Sequence, residues 1–267
     1  MKNSRKVLFF DIDGTLLTSK QVIPDSAKEA LKKAQDAGHL IFINTGRTPY
    51  ILPKELTEFG FDGFVCGCGT YITLHDKILN ESYLPLELCQ ETLQVLRDCK
   101  LPTFFERHDS LYYNDDVLST PTKKEQLFID YLGAKPISSL SPEDQKNFFF
   151  VKLISFFHDY SDKESFYNFI KDKFICFMHS EEAWEVSQKD FDKATGMKVV
   201  LDHLGLSVED SFAFGDSVND LAMLKFAGTS VAMGNSMEEI LPYCDYQTTD
   251  IDDDGIAKAL KHFELLG

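Results

Sequence analysis

Four apolar residues, Val7-Leu8-Phe9-Phe10, run without a polar break and stop at Asp11-Ile12-Asp13-Gly14. That is the pattern of a strand buried on both faces and ended by a glycine turn. Ala27, Ala30, Leu31 and Ala34 then recur at helical spacing, opened by Ser26-Ala27-Lys28-Glu29 in a capping-box pattern and closed by Gly38. Residues 39–44 predict a second strand, halting at Thr45-Gly46-Arg47. Strand, helix and strand at this spacing make a βαβ unit and so a parallel pair. Thr48-Pro49 is expected to begin another helix with Thr48 as its N-cap. Residues 64–66 predict a third short strand, followed by Gly67-Cys68-Gly69, which lacks the third glycine of a dinucleotide-binding loop.

Near residue 84 the pattern changes. Helical stretches over 86–99 and 163–173 alternate with aromatic strands over 111–113, 148–157 and 175–178. This predicts an α+β insertion with helices on one face of a mostly antiparallel sheet. Near Asp192 the α/β alternation resumes. Met197, Val200, Leu201 and Leu204 form a helical stripe, and a strand over 211–214 ends in Gly215-Asp216-Ser217-Val218-Asn219-Asp220. A helix reaching Gly228, a strand over 229–233 and an amphipathic helix behind Asp252-Asp253-Asp254-Gly255 close the chain. That acidic run is read as a helix N-terminal cluster favoured by the dipole, not a metal site. The expected fold class is therefore α/β. A core with a parallel sheet takes residues 1–83 and 189–267, and the inserted α+β domain takes 84–188.

Composition removes several classes of partner. The formal net charge is −16 over 267 residues, so nucleic acid is not expected, because phosphate-backbone affinity comes from clustered Lys and Arg. No apolar run approaches the ~18 residues of a membrane helix. Met1-Lys2-Asn3-Ser4-Arg5-Lys6 leads into a strand and not into the apolar run of an export signal. The six cysteines include one close pair, Cys66 and Cys68, with no zinc-like spacing. Free thiols fit a reducing cytoplasm, the expected location.

The chemistry lies where strands stop, since ligands of open α/β sheets bind outside the carboxyl ends of the strands. Asp11 and Asp13, then Thr45, then Lys193, then Asp216, Asn219 and Asp220 stand at strand ends or helix starts of one α/β unit. Two carboxylates as close as Asp11 and Asp13 repel each other and call for a hard divalent cation with oxygen ligands. Cleavage of a phosphate monoester needs positioning and charge neutralisation above all. Asp11 fits as an ionised nucleophile and Asp13 as the proton donor to the departing alkoxide. Mg2+ is expected on Asp11 and Asp216, with Asp220, one helical turn on, facing the same ion. Lys193 and Thr45 would grip the phosphoryl oxygens. Arg47 would either reach the substrate or pair with a surface acid.

These four segments resemble the motifs of the haloacid dehalogenase-like phosphatase superfamily. Asp11-x-Asp13-Gly14-Thr15-Leu16 resembles the first motif, Asn44-Thr45-Gly46-Arg47 the second, Lys193 the lysine of the third, and Gly215-Asp216-x-x-Asn219-Asp220 the fourth. The insertion is similar to the type-2, subtype-B cap of the Cof-like hydrolases. The resemblance implies a Rossmann-like core and a Mg2+-dependent phosphatase working through an aspartyl-phosphate on Asp11. Gly46 and Asn219 join Thr45 and Lys193 in its phosphate-binding set, and the backbone carbonyl of Asp13 joins the metal ligands. Asp13, where the related ion-pumping ATPases carry Thr, implies ester hydrolysis. Cys68-Gly69 and Lys193-Ala194 depart from the Asn-Gly and Lys-Gly frequent in the family, and neither removes a proposed catalytic group.

The expected substrate is a small phosphorylated metabolite such as a sugar phosphate or phosphorylated cofactor. A phosphomutase on hexose phosphates and a non-catalytic phosphometabolite-binding protein are the alternatives. Substrate selectivity is expected in the insertion, where Phe104, Phe105, Glu106, Arg107 and Trp184 are eligible contacts. The aromatic ones are read as core of that domain.

Overall fold

The computed structural model describes residues 5–267, and the first four, read above for a leader, lie outside the described residues. The chain forms two compact units. One comprises the chain up to Arg47, Leu52–Glu81 and Asp192–Gly267, and the other Thr48–Ile51 and Ser82–Phe191.

The first unit begins with β1 (Val7–Phe10), α1 (Asp25–Asp36), β2 (Leu40–Asn44), α2 (Lys54–Thr57), β3 (Gly63–Cys66), β4 (Tyr71–Leu74) and β5 (Lys77–Glu81). The second unit holds α3 (Leu86–Asp98), β6 (Thr103–Glu106), β7 (Leu111–Tyr113), α4 (Lys123–Asp130), β8 (Lys135–Pro136), α5 (Pro142–Lys146), β9 (Lys152–Phe156), α6 (Lys163–Ile170), β10 (Phe174–Ser180) and β11 (Ala183–Gln188). The first unit then resumes with α7 (Lys193–Leu204), β12 (Ser211–Gly215), α8 (Leu221–Phe226), β13 (Thr229–Ala232), β14 (Tyr246–Gln247) and α9 (Gly255–His262).

In the first unit the strand order is β14-β13-β12-β1-β2-β3-β4-β5. Strands β14 to β3 are parallel, and β4 and β5 add an antiparallel edge. β1 lies near the middle, and its four apolar residues are fully buried because both faces are covered. Leu8 and Phe10 pack with the alanine and leucine stripe of α1 and with Ile256, Ala259 and Leu260 of α9. Val7 and Phe9 point the other way, toward Met197, Val200 and Leu201 of α7 and Met223 and Leu224 of α8. Alternation along one strand thus joins two helical layers to one sheet.

Two local expectations fail, both at prolines. α1 begins at Asp25, directly behind Pro24, and among the described residues it carries no side-chain cap bond and the Ser26 hydroxyl finds no partner. Thr48 does not cap an α-helix either. Pro49–Ile51 is a single 3-10 turn, and Pro53 delays α2 to Lys54. The Thr48 hydroxyl donates instead to Glu106 Oε2 at 2.8 Å, inside the second unit.

The second unit has the strand order β10-β11-β9-β6-β7-β8, antiparallel except for the parallel β7–β8 pair. Phe105, Leu153, Trp184 and Val186 face α3 and α6. Phe104, Phe156 and Ala183 face the opposite way, and Phe128 of α4 packs there with its ring 4.7 Å from that of Phe104. The helices are therefore not confined to one face, because α4 brings its own apolar residues to the other. Among the described residues no helix is long and apolar enough to cross a membrane.

Candidate active site

Asp11 sits one residue past β1, and its amide donates to Phe214 O at 3.0 Å, so the ladder with β12 holds it at the strand end. Its carboxylate is 4% exposed as a residue. α7 starts at Lys193 because Asp192 and Thr195 form a reciprocal cap. A cation in the first helical turn opposes the helix dipole, and here carboxylates offset that cost. Lys193 Nζ donates to Asp11 Oδ1 at 2.5 Å and to Asp220 Oδ1 at 2.5 Å, with the lysine 1% exposed. Asn44, the last residue of β2, donates its side-chain amide to Lys193 O at 2.9 Å and so ties β2 to the start of α7.

Asp220 is fully buried and uses both oxygens. Oδ1 takes Lys193, and Oδ2 accepts the backbone amides of Asp216 and Ser217 at 2.9 and 3.1 Å. The loop after β12 is thereby wrapped around one carboxylate. Asp216, half-buried, accepts from the Thr15 hydroxyl at 3.1 Å, which links the β1 loop to the β12 loop. Gly14 sits between them at φ +82°, and a Cβ there would lie 2.5 Å from Asp216 Oδ2. Only glycine meets both the backbone conformation and the space.

Oxygens of Asp11, Asp216 and Asp220 all lie within 4.8 Å of one another. Burial, then the neighbouring Asp220 charge, pushes the Asp11 carboxyl up to about 7 despite Lys193. Burial and Asp220 likewise push Asp216 up to about 6. Burial alone would lower Lys193, but Asp11 and Asp220 outweigh it and hold the ammonium above its ordinary range. Three carboxylates against one lysine leave the cluster short of positive charge. An all-oxygen donor set at this spacing suits a small hard cation. The residues present fit a metal.

The other expected residues stand apart from this cluster. Asp13 is more exposed, and its carboxylate pairs with Arg47 through two bonds of 2.6 and 3.0 Å. Of the two alternatives for Arg47, the structure thus shows the acid pairing. Thr45 is buried, and its hydroxyl accepts the Arg47 amide at 3.1 Å. Gly46 lies between them in the same turn after β2. Asn219 is exposed, and its side chain accepts from the Ser217 hydroxyl at 2.6 Å. Asp252 and Asp253 sit in a 3-10 turn just before α9, outside the metal-fitting cluster. In the second unit Phe104, Phe105 and Trp184 are core residues, Glu106 is buried on Thr48, and Arg107 lies over the Phe149 ring at 3.9 Å.

Sequence reasoning gave no role to Thr15 or Asn44. Each had a readable signal: a hydroxyl directly behind Asp13-Gly14, and an amide closing an otherwise apolar strand.

The chain is similar to known proteins. The family model described as haloacid dehalogenase-like hydrolase matches residues 8–260. YkrA of Bacillus subtilis is 30% identical over 265 residues, covering 98% of each chain. The 5-amino-6-(5-phospho-D-ribitylamino)uracil phosphatase YcsE of the same organism is 30% identical over 263 residues, 97% of this chain and 96% of its own. The solved structure of the subclass IIB sugar phosphatase BT4131 superposes with a TM-score of 0.80 at 30% identity, covering 97% of this chain and 99% of its own.

Proposed function

The chain belongs to the haloacid dehalogenase-like hydrolases and is a phosphatase acting on phosphorylated small molecules; on that premise we propose that it is a Mg2+-dependent enzyme that transfers the phosphoryl group to Asp11. The observation that carries this reading is the buried Asp11–Lys193–Asp220 triad with Asp216 beside it. Relatives named as phosphatases favour hydrolysis over the phosphomutase alternative. The full set of catalytic groups speaks against a purely binding role.

Asp11 and Asp216 would hold the cation, together with the Asp13 backbone carbonyl. Asp220 backs them, its own oxygens already bonded to Lys193 and to two amides. When bound, Mg2+ supplies charge neutralisation for the phosphoryl oxygens. Asp11 attacks phosphorus, forming one O–P bond as the bond to the leaving oxygen breaks. Asp13, released from Arg47 and protonated from solvent as substrate enters, gives its proton to that oxygen. Water then attacks the aspartyl-phosphate, and Asp13 takes back the proton as phosphate departs. Lys193, Thr45, Gly46 and Asn219 hold the phosphoryl oxygens, and Lys193 keeps Asp11 oriented between turnovers. Arg47 holds Asp13 between turnovers.

The substrate class is a small phosphorylated metabolite, with sugar phosphates and a ribitylaminouracil phosphate the first to try, in view of the relatives' names. Selectivity is assigned to the second unit as a cap domain, and the location to the cytoplasm. Purified protein should hydrolyse p-nitrophenyl phosphate with Mg2+ and not with a chelator. Asp11→Asn should abolish turnover, and full activity in that variant rejects the covalent route.

A further inference from the structure

Asn235 lies just past β13, on a segment that no proposed catalytic role uses. Its side-chain amide donates to Gly14 O at 2.8 Å, and its side-chain oxygen accepts the Ile251 amide at 3.1 Å. The surrounding backbone makes three more links. Met233 N donates to Gly215 O at 3.1 Å, Gly234 N to Thr249 O at 2.9 Å, and Met237 N to Asp216 O at 2.8 Å. Gly234 sits so close to the neighbouring turn that a Cβ there would lie 2.3 Å from Asp250 N. Residues 233–237 therefore bind the loop after β12 through backbone and the loop after β1 through the Asn235 side chain.

Gly14 is the joint this bond controls. Its N–H donates to Leu17 O at 3.2 Å and holds the plane toward Asp13, and the Asn235 bond to its carbonyl holds the plane toward Thr15, so the two bonds together set the turn at this residue. The plane before Gly14 belongs to Asp13, and the plane after it to Thr15, whose hydroxyl holds Asp216. A glycine at φ +82° has no side chain to define those planes, so they depend on external partners.

Resting on the reading above, we propose that Asn235 is a positioning residue for phosphoryl transfer. Acting through the Gly14 carbonyl, it sets the turn that aims Asp13 at the leaving oxygen. Asn235 is exposed, and its replacement leaves the core untouched.

The role is read from the leaving group. A nitrophenolate departs with little help, whereas an alkoxide needs a proton, and positioned acid catalysis contributes ~10²–10⁴-fold. Asn235→Ala should lower kcat/KM for p-nitrophenyl phosphate by no more than about tenfold, yet lower kcat/KM for an alkyl ester such as a hexose 6-phosphate by about a hundredfold. The ratio kcat/KM is the readout because it reports transfer to Asp11, whereas kcat also includes hydrolysis of the aspartyl-phosphate, which is common to both esters. Asn235→Asp separates the two bonds of the amide. It can still accept from Ile251 N–H but cannot donate to Gly14 O, so it should match the alanine variant. Wild type that hydrolyses both esters while Asn235→Ala slows them equally, or not at all, overturns the proposal. So does an Asn235→Asp variant with wild-type selectivity. Wild type that hydrolyses neither ester counts against the phosphatase mechanism itself. Melting temperatures for both variants within about 3 °C of wild type are expected, and an equal slowing with a large drop assigns Asn235 to structure alone.

Discussion

Lys193 in the first unit and Lys152 in the second are each buried between two carboxylates. Lys193 lies 2.5 Å from both Asp11 and Asp220. Lys152 lies 2.6 Å from Glu185 and 3.8 Å from Glu106, whose other oxygen accepts from Thr48. Their settings differ. The Lys193 group is assembled from loops at strand ends, and a further carboxylate, Asp216, leaves it short of positive charge. The Lys152 group lies on a sheet face, where Glu106 pairs with Lys152 in register across β6 and β9, and Glu185 comes from the next strand. Burial pushes the Glu106 carboxyl up there too, against the pull of Lys152. Thus a lysine buried between two acids is no mark of chemistry by itself. What distinguishes the first group is unneutralised oxygen at the end of a parallel sheet.

Removing each lysine separates the two roles. Lys193→Met should lower kcat/KM for p-nitrophenyl phosphate by about 10³-fold, because a charge aimed at the phosphoryl oxygens is lost. Lys152→Met should leave turnover of this small ester within about tenfold, since its partners touch no reacting atom in the proposed mechanism. Kinetics on the two purified variants decide the matter, and equal losses would erase the distinction.

Stability is expected to fall in both variants, since each lysine is buried between two acids. Truncating one partner of a buried ion pair typically costs about 3–5 kcal/mol, because the other charge is left without a partner. Lys152→Met should approach that range in urea unfolding, and adding Glu106→Gln should recover part of it by removing the stranded acid. A double variant no more stable than the single one would place the loss in packing of the lysine stem.

The two groups also differ in how far the sequence reveals them. β1, the first βαβ unit and the acids at strand ends are legible because each is local. An apolar run stops, and acids follow within three residues. Lys193 is different, for in isolation it is an ordinary lysine, and only its motif context marks it. Lys152 and Glu185 lie 33 positions apart and meet through strand register, which no local pattern supplies. The β4–β5 hairpin also escapes, as its strands are short and carry little alternation. The misread caps share one cause. Ser26 and Thr48 each have the right chemistry for a cap, but prolines at 24, 49 and 53 move the helix starts, and Thr48 finds a buried glutamate instead.

The smallest expected effect tests the shortage of positive charge in the first group directly. Asp216 is raised to about 6 by burial and by Asp220. A carboxyl harder to ionise when folded than when unfolded favours the fold below its ordinary value near 3.8, and that advantage fades as pH rises toward 6. In chelator, the melting temperature of Asp216→Asn relative to wild type should therefore climb between pH 4 and pH 6 and level off above it. Asparagine can still accept the Thr15 hydroxyl, so loss of that bond does not mask the trend. Adding Mg2+ at pH 7 should raise the wild-type melting temperature and leave the variant nearly unmoved, because a ligand stabilises only the state that binds it. A pH-independent difference, or an equal response to Mg2+ in both proteins, would mean that Asp216 is already neutralised by its neighbours and that the first group, like the second, is balanced without a cation.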